Sequence, residues 1–214
     1  MKYFRIIPSL ILAYVLSVPS MALETSLEVK PTSRYIEQFE LMTVEVNDID
    51  IAYRVVGQSS NPPIVLVMGL GASHKVWTDN LVEGLVIEGH SVILFDNRDT
   101  GGSSNFESWG EPVLWWELVK DKFGFDVNAP YNLDDMAQDT VSLLDKLSIE
   151  KAHIVGASMG GMIAQIIAAK YPERTQSLVS IMSTTGAKHL PPPSSEAMKS
   201  LQDLAEGEAA EEHA

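Results

Sequence analysis

A chain of 214 residues, 45% hydrophobic and 21% charged, has the length and apolar content for one domain with a full core, which excludes a disordered protein. Its net charge of −14 repels nucleic acid and anionic membrane surfaces, so neither is expected as a partner. Absence of cysteine excludes disulfides and thiolate chemistry, and the five histidines, His74, His90, His153, His189 and His213, are too widely separated for a metal signature; no metal and no other cofactor is expected.

At the N-terminus Lys2 and Arg5 precede an uncharged run from Ile6 to Val18 and the small-residue site Ser20-Met21-Ala22. That order reads as a secretory signal peptide over 1–22, too short for a spanning helix, and implies an exported, periplasmic or secreted protein. Cleavage after Ala22 would remove two cations and no acid, taking the net charge to −16 and leaving no membrane attachment. Residues 23–40, with mixed charge and Pro31, read as a loosely ordered N-terminal extension.

Leu41–Val46 and Ile49–Val56 are strand-like runs on either side of Asn47-Asp48, whose turn chemistry predicts an antiparallel hairpin at a sheet edge. Asn61-Pro62-Pro63 breaks the chain before Ile64–Met68, an apolar run without polar alternation, as a parallel strand covered on both faces requires. Gly69-Leu70-Gly71 follows at its C-terminal end, and Val76–Glu88 predicts a crossover helix closed by His90. Ser91–Phe95 is a second buried strand, ending in the polar cluster 96–103, where the chain is expected to loop out. Phe106–Pro130 carries Trp109, Trp115, Trp116, Phe123 and Phe125 among charged residues, aromatics expected to pack rather than to touch substrate.

From Asn132 onward, Leu133, Met136, Ala137, Thr140, Leu143, Leu144 and Leu147 fall at helical spacing, with Asn132 as cap and Asp135 three residues on. A strand at Lys151–Val155, a helix at Gly160–Tyr171 stopped by Pro172, and a strand at Leu178–Met182 complete a β-α-β-α-β-α-β alternation. The pattern predicts an α/β fold over residues 41–186, a mainly parallel sheet with helices on both faces. Residues 187–214, opened by Pro191-Pro192-Pro193, are polar and acidic and read as the start of a cap or a non-native tail.

Within that alternation Gly156-Ala157-Ser158-Met159-Gly160 has the G-x-S-x-G form of a nucleophile elbow, a strand-to-helix turn that lifts a serine clear of the backbone. Gly156 and Gly160, without a Cβ, let strand and helix pass close together while Ser158 takes a backbone conformation most residues avoid.

Several blocks in order resemble the α/β-hydrolase superfamily, in particular the bacterial esterase-like group that includes proline iminopeptidases and aclacinomycin methylesterases. Val67-Met68-Gly69-Leu70-Gly71 is similar to the oxyanion-loop block, with Met68 where many members carry histidine; Asp96–Gly101 is similar to the turn after the next strand; Tyr131–Met136, Gly156–Gly161 and Tyr171-Pro172-Glu173-Arg174 match the helix before the elbow, the elbow and the end of its helix. The resemblance implies Ser158 as catalytic nucleophile and the backbone N–H groups of Leu70 and Met159 as an oxyanion hole. It also implies a triad acid and histidine well after the nucleophile, and these the sequence does not supply. Asp203 with His213 lies in the acidic tail, His74 reads as a loop or packing residue with a base role as its alternative, His153 as a structural histidine in a strand, and His90 and His189 as turn and linker residues.

The expected function is therefore a serine hydrolase cleaving a carboxylic ester of a small hydrophobic molecule through an acyl-enzyme on Ser158, in a form truncated or split before the acid and histidine. Two alternatives stand beside it: an inactive fold remnant that binds a ligand or partner, and an iminopeptidase-like amide hydrolase.

Overall fold

The computed structural model describes residues 35–106 and 130–187, together with residues 190, 194 and 195. The signal-peptide pattern, the aromatic stretch at 107–129, His189, Asp203 and His213 lie outside the described residues.

Among the described residues six strands form one sheet: β1 (Met42–Val46), β2 (Ile49–Val56), β3 (Pro63–Val67), β4 (Ser91–Phe95), β5 (Ala152–Ala157) and β6 (Thr175–Ile181). Their spatial order is β1-β2-β4-β3-β5-β6. The expected hairpin is present, Val46 opposite Ile49, with Asn47 and Asp48 at φ 48° and 63°, the left-handed pair that matches a tight turn to strand twist. β2 joins β4 antiparallel, and the β4–β3–β5–β6 pairings are all parallel.

Side-chain alternation explains why the central strands read as unbroken apolar runs. Val65, Val67, Ile93 and Phe95 point to one face, where they meet α2 (Leu133–Lys146) and α3 (Met159–Lys170). Ile64, Leu66, Val92 and Leu94 point to the other, where Val82 of α1 (Asp79–Ile87) and Trp77 cover them. Both faces are dry, so neither set tolerates polar residues.

Each helix is bounded by local chemistry. The Asn132 carboxamide accepts from the N–H groups of Asp134 (2.7 Å) and Asp135 (3.2 Å), and the Asp135 carboxylate accepts the Asn132 N–H at 2.8 Å, the expected reciprocal cap. The crossover helix starts three residues later than expected: His74–Val76 form a separate tight turn, and the Thr78 hydroxyl caps α1 by accepting from Leu81. At its end the Gly89 N–H bonds Val86 and the His90 N–H bonds Leu85, with Gly89 at φ 86°, the paired closure that a left-handed glycine makes available. β5 runs two residues further than its apolar pattern, to Ala157, and β6 begins three earlier, at Thr175.

Two segments differ from expectation in kind. The end of the N-terminal extension is part of the fold: Ile36 is fully buried, and the N–H groups of Tyr35 and Ile36 bond the Asp79 carboxylate at 2.9 and 3.0 Å. The polar cluster after β4 turns inward instead of looping out, with Asp96, Asn97, Arg98 and Thr100 all buried. Arg98 makes a two-pronged pair with Asp139 of α2 (2.7 and 2.8 Å), Asn47 adds a third hydrogen bond to that carboxylate at 2.8 Å, and the guanidinium lies 5.1 and 5.7 Å from the ring centres of Tyr131 and Phe106. Burial, and then the adjoining Asp99 carboxylate that accepts its hydroxyl, push the Tyr131 pKa upward. β6 is flanked by β5 alone among the described residues, and Leu178, Val179 and Met182 stand exposed along it, as the apolar edge expected there.

Removing one member of the Arg98–Asp139 pair strands a buried charge. Asp139→Ala is expected to cost about 3–5 kcal/mol in urea unfolding, whereas Asp139→Leu combined with Arg98→Met returns to within about 1 kcal/mol of the parent. Equal losses in the two variants would refute this account of the pair.

Candidate active site

β5 ends at Ala157 and α3 begins at Met159, leaving Ser158 as the single joining residue, at φ 55° and ψ −122°. A non-glycine residue there stores on the order of 1–3 kcal/mol of backbone strain. The surroundings hold it in place: its N–H bonds the Ile181 carbonyl at 3.0 Å, and its carbonyl accepts from Gly161 at 2.9 Å. A Cβ on Gly156 would sit 2.1 Å from the Gly160 carbonyl oxygen, and one on Gly160 would sit 2.1 Å from the Val67 carbonyl oxygen. Only glycine fits at either position, and the result is an exposed serine at the head of a helix, beside the C-terminal end of β3. The chain leaves β3 toward β4 on one side and returns as β5 on the other, so Ser158 occupies the crevice where open α/β sheets bind ligands.

The loop after β3 closes over the serine from that side. Gly69 is the contact residue: a Cβ there would lie 3.1 Å from Ser158 Cβ and 3.5 Å from Ser158 Oγ. Leu70 is 80% exposed, and Gly71 turns the chain at φ 68°. Among the described residues the Leu70 N–H and the Met159 N–H bond no acceptor, and Ser158 Oγ has no hydrogen-bond partner. Attack on a carbonyl requires an accessible hydroxyl and backbone donors not already committed to another acceptor, since the developing oxyanion needs donors fixed in advance.

The loop is braced from below by residues that follow β4. Asn97 donates its side-chain N–H to the Met68 carbonyl at 2.9 Å. One Asp96 oxygen accepts both the backbone N–H and the ring Nδ1–H of His74, each at 2.7 Å, and the other accepts from Gly102 at 2.9 Å. Arg54 Nε, which can only donate, bonds His74 Nε2 at 3.1 Å, so that nitrogen accepts and Nδ1 carries the proton. Burial on its own would raise the Asp96 carboxyl, but hydrogen bonds from the His74 ring, Gly102 and the His74 backbone outweigh it and hold the group below its ordinary range.

Of the sequence-expected residues, Gly156, Ser158, Met159 and Gly160 form the turn itself, and Leu70 follows the glycine that packs against Ser158. His74 does not join them as a base: it is fully buried, with both ring nitrogens engaged, as its packing reading has it. His153 bonds Ser177 Oγ at 2.7 Å and stacks edge-to-face on His90 near Pro62, where β3 begins, at the opposite end of the sheet from Ser158. Sequence reasoning overlooked Asp96 and Asn97 as individual residues. Their signal is a run of polar side chains directly after five consecutive buried strand residues, where water-facing polarity is the wrong default. Among the described residues no group of three or more His, Cys, Asp and Glu is placed to hold a metal.

Two stability measurements test these assignments. Ser158→Gly is expected to be more stable than Ser158→Ala by about 1–2 kcal/mol, since both remove the hydroxyl and only glycine relieves φ 55°. Asp96 has a folded pKa below its ordinary 3.8, so its contribution is complete above that value and disappears as pH falls through the lower, folded one. Asp96→Asn is therefore expected to flatten the acid limb of a stability-against-pH curve below about pH 4; an unchanged limb would show that the carboxylate is not so held.

Comparison with known proteins agrees with this fold. Rhodomycin D methylesterase DauP of Streptomyces sp. (strain C5) is 34% identical over 123 residues, covering 58% of this chain and 35% of that protein. 3-Oxoadipate enol-lactonase 2 of Acinetobacter baylyi is 29% identical over 146 residues, covering 68% and 45%. Among solved structures, a bacterial membrane phospholipase A superposes with a TM-score of 0.61 at 26% identity over 82% of this chain and 48% of its own, and a hydrolase from Pseudomonas aeruginosa PA01 with 0.57 at 25% identity over 70% and 48%. The chain thus spans about a third to a half of the length of these relatives. A family model for the alpha/beta hydrolase fold matches residues 62–213, from the start of the central strands through the elbow, and the chain belongs to that family.

Proposed function

We propose that this chain carries the nucleophile and oxyanion half of an exported serine hydrolase acting on a carboxylic ester of a small hydrophobic molecule. The observation that carries the reading is Ser158 itself, exposed and strained at the head of α3, with the N–H groups of Leu70 and Met159 left without acceptors among the described residues. Ser158 Oγ gives its proton to a general base and attacks the ester carbonyl, the oxyanion takes hydrogen bonds from those donors, the alcohol leaves with that proton, and water activated by the same base then cleaves the acyl-enzyme. Leu70 and Met182, each 80% exposed, border the serine, Met182 directly following the residue whose carbonyl holds the Ser158 N–H; both suit an apolar substrate. Relatives named as a methylesterase and an enol-lactonase favour an ester over an amide. The Lys2–Ala22 pattern supports export.

The proton on Ser158 needs an acceptor. None of the described histidines serves, since His74 is enclosed and His90 and His153 are bonded at the far end of the sheet. That observation favours a second reading, a protein that binds an ester-like ligand and turns nothing over.

A fluorophosphonate probe separates the two. Labelling of the folded chain at Ser158, located by peptide mass and abolished in Ser158→Ala, is the expected result; folded protein that stays unlabelled would leave the binding reading.

A further inference from the structure

The geometry points to Asn97 as a positioning residue that fixes the direction of the oxyanion donor at Leu70, an inference that rests on the reading of Ser158 and Leu70 given above. The loop between β3 and the His74 turn has one long hydrogen bond of its own, from the Ala72 N–H to the Gly69 carbonyl at 3.4 Å. Leu70 is largely in solvent, a Cβ on Gly71 would meet nothing within 4 Å, and Gly69, whose backbone is the freest of any residue, stands directly before the Leu70 amide. A peptide unit beside glycine can turn over at small steric cost; turning the Gly69–Leu70 unit would redirect the Leu70 N–H, and the Met68–Gly69 unit immediately before it sets the position from which that unit starts.

The Met68 carbonyl oxygen is the point at which the preceding unit is held. On one side it lies against Gly160, where a Cβ would be 2.6 Å away, a contact that supplies no N–H donor. On the other side Asn97, itself 3% exposed, donates to it at 2.9 Å. A carbonyl can only accept, so the bond also assigns the carboxamide: nitrogen toward Met68. Asp96, the preceding residue, pins the far end of the same loop through both donors of His74. Two consecutive side chains at the end of β4 therefore clamp the loop at both ends, and the Asn97 clamp is the one nearer to Leu70.

Phenylboronic acid tests the role without requiring turnover. Its boron accepts the Ser158 oxygen, the hydroxyl proton passes to the buffer, and the resulting anionic tetrahedral boronate places one of its B–OH oxygens where the oxyanion would sit. Binding to the full chain is measured by calorimetry for wild type, Ser158→Ala, Asn97→Ala and Asn97→Asp. Asn97→Ala is expected to weaken binding about tenfold or more, as loss of an aligned oxyanion donor does. Asn97→Asp cannot donate to Met68 while ionised and regains an O–H donor when protonated, so its affinity relative to wild type is expected to rise as pH falls; a merely space-filling residue gives a flat ratio. Because that comparison is made within one folded variant, it stands even if Asn97→Ala does not fold. Wild-type binding that Asn97→Ala retains in full, or a flat Asn97→Asp ratio, overturns the inference and leaves the serine reading intact. Binding that survives Ser158→Ala, or no wild-type binding, overturns the serine reading and this inference with it.

Discussion

Three backbones meet at van der Waals distance where β5 turns into α3 beside the end of β3, and two missing side chains make that possible. With a Cβ at 156 or 160, a carbonyl oxygen would be 2.1 Å away, a clash that no rotamer change can relieve because the obstructing atoms are main chain. The consequence is chemical as well as steric. The start of α3 and the loop after β3 each carry one unused N–H, and the strand ends and the helix head are pressed together at the serine. Strain at Ser158 is the local cost of that convergence, sustained by the Ile181 hydrogen bond from the neighbouring strand.

Beneath the site the protein buries charge where a hydrophobic layer would be simpler. Asp96 with His74 and Arg54, and Asp139 with Arg98 and Asn47, are two enclosed networks in which each carboxylate has three or more donors. Such arrangements add little to stability over well-packed apolar residues, but their geometry is directional and admits one arrangement rather than many. Here the direction matters: one network fixes the loop over the serine, and the other ties the turn after β4 to α2.

The repeating part of the fold was legible because its physics is local. Burial on both faces writes apolar runs at Ile64–Val67 and Val92–Phe95, and reciprocal capping writes Asn132 and Asp135, with no need to know what lies opposite. The elbow was legible for the same reason, since Gly156 and Gly160 answer to each other across four residues. What could not be read were the long-range polar contacts. Nothing near Arg98 announces Asp139, 41 residues on, and nothing near Ile36 announces the carboxylate of Asp79, 43 residues on. Those partners are chosen by the folded arrangement, so segments rich in polar residues looked like solvent loops or loose chain and proved to be interior. Helix α1 was misplaced at its start because Val76 and Trp77 continue the apolar pattern while Thr78 provides the actual cap.

The order in which strands were laid down in the chain differs from the order in which they pair, and this bears on how the molecule assembles during synthesis. β1, β2, β4 and β3 are complete once residue 95 is made, yet the second long edge of β3 must wait for β5, which begins at Ala152. At ordinary elongation rates that interval is on the order of ten seconds. Throughout it, Ile64–Val67 presents a bare row of amides and apolar side chains to whatever is nearby, and the serine site does not yet exist. Nascent-chain protection, not final stability, is the demand that this sheet order places on the cell that makes it.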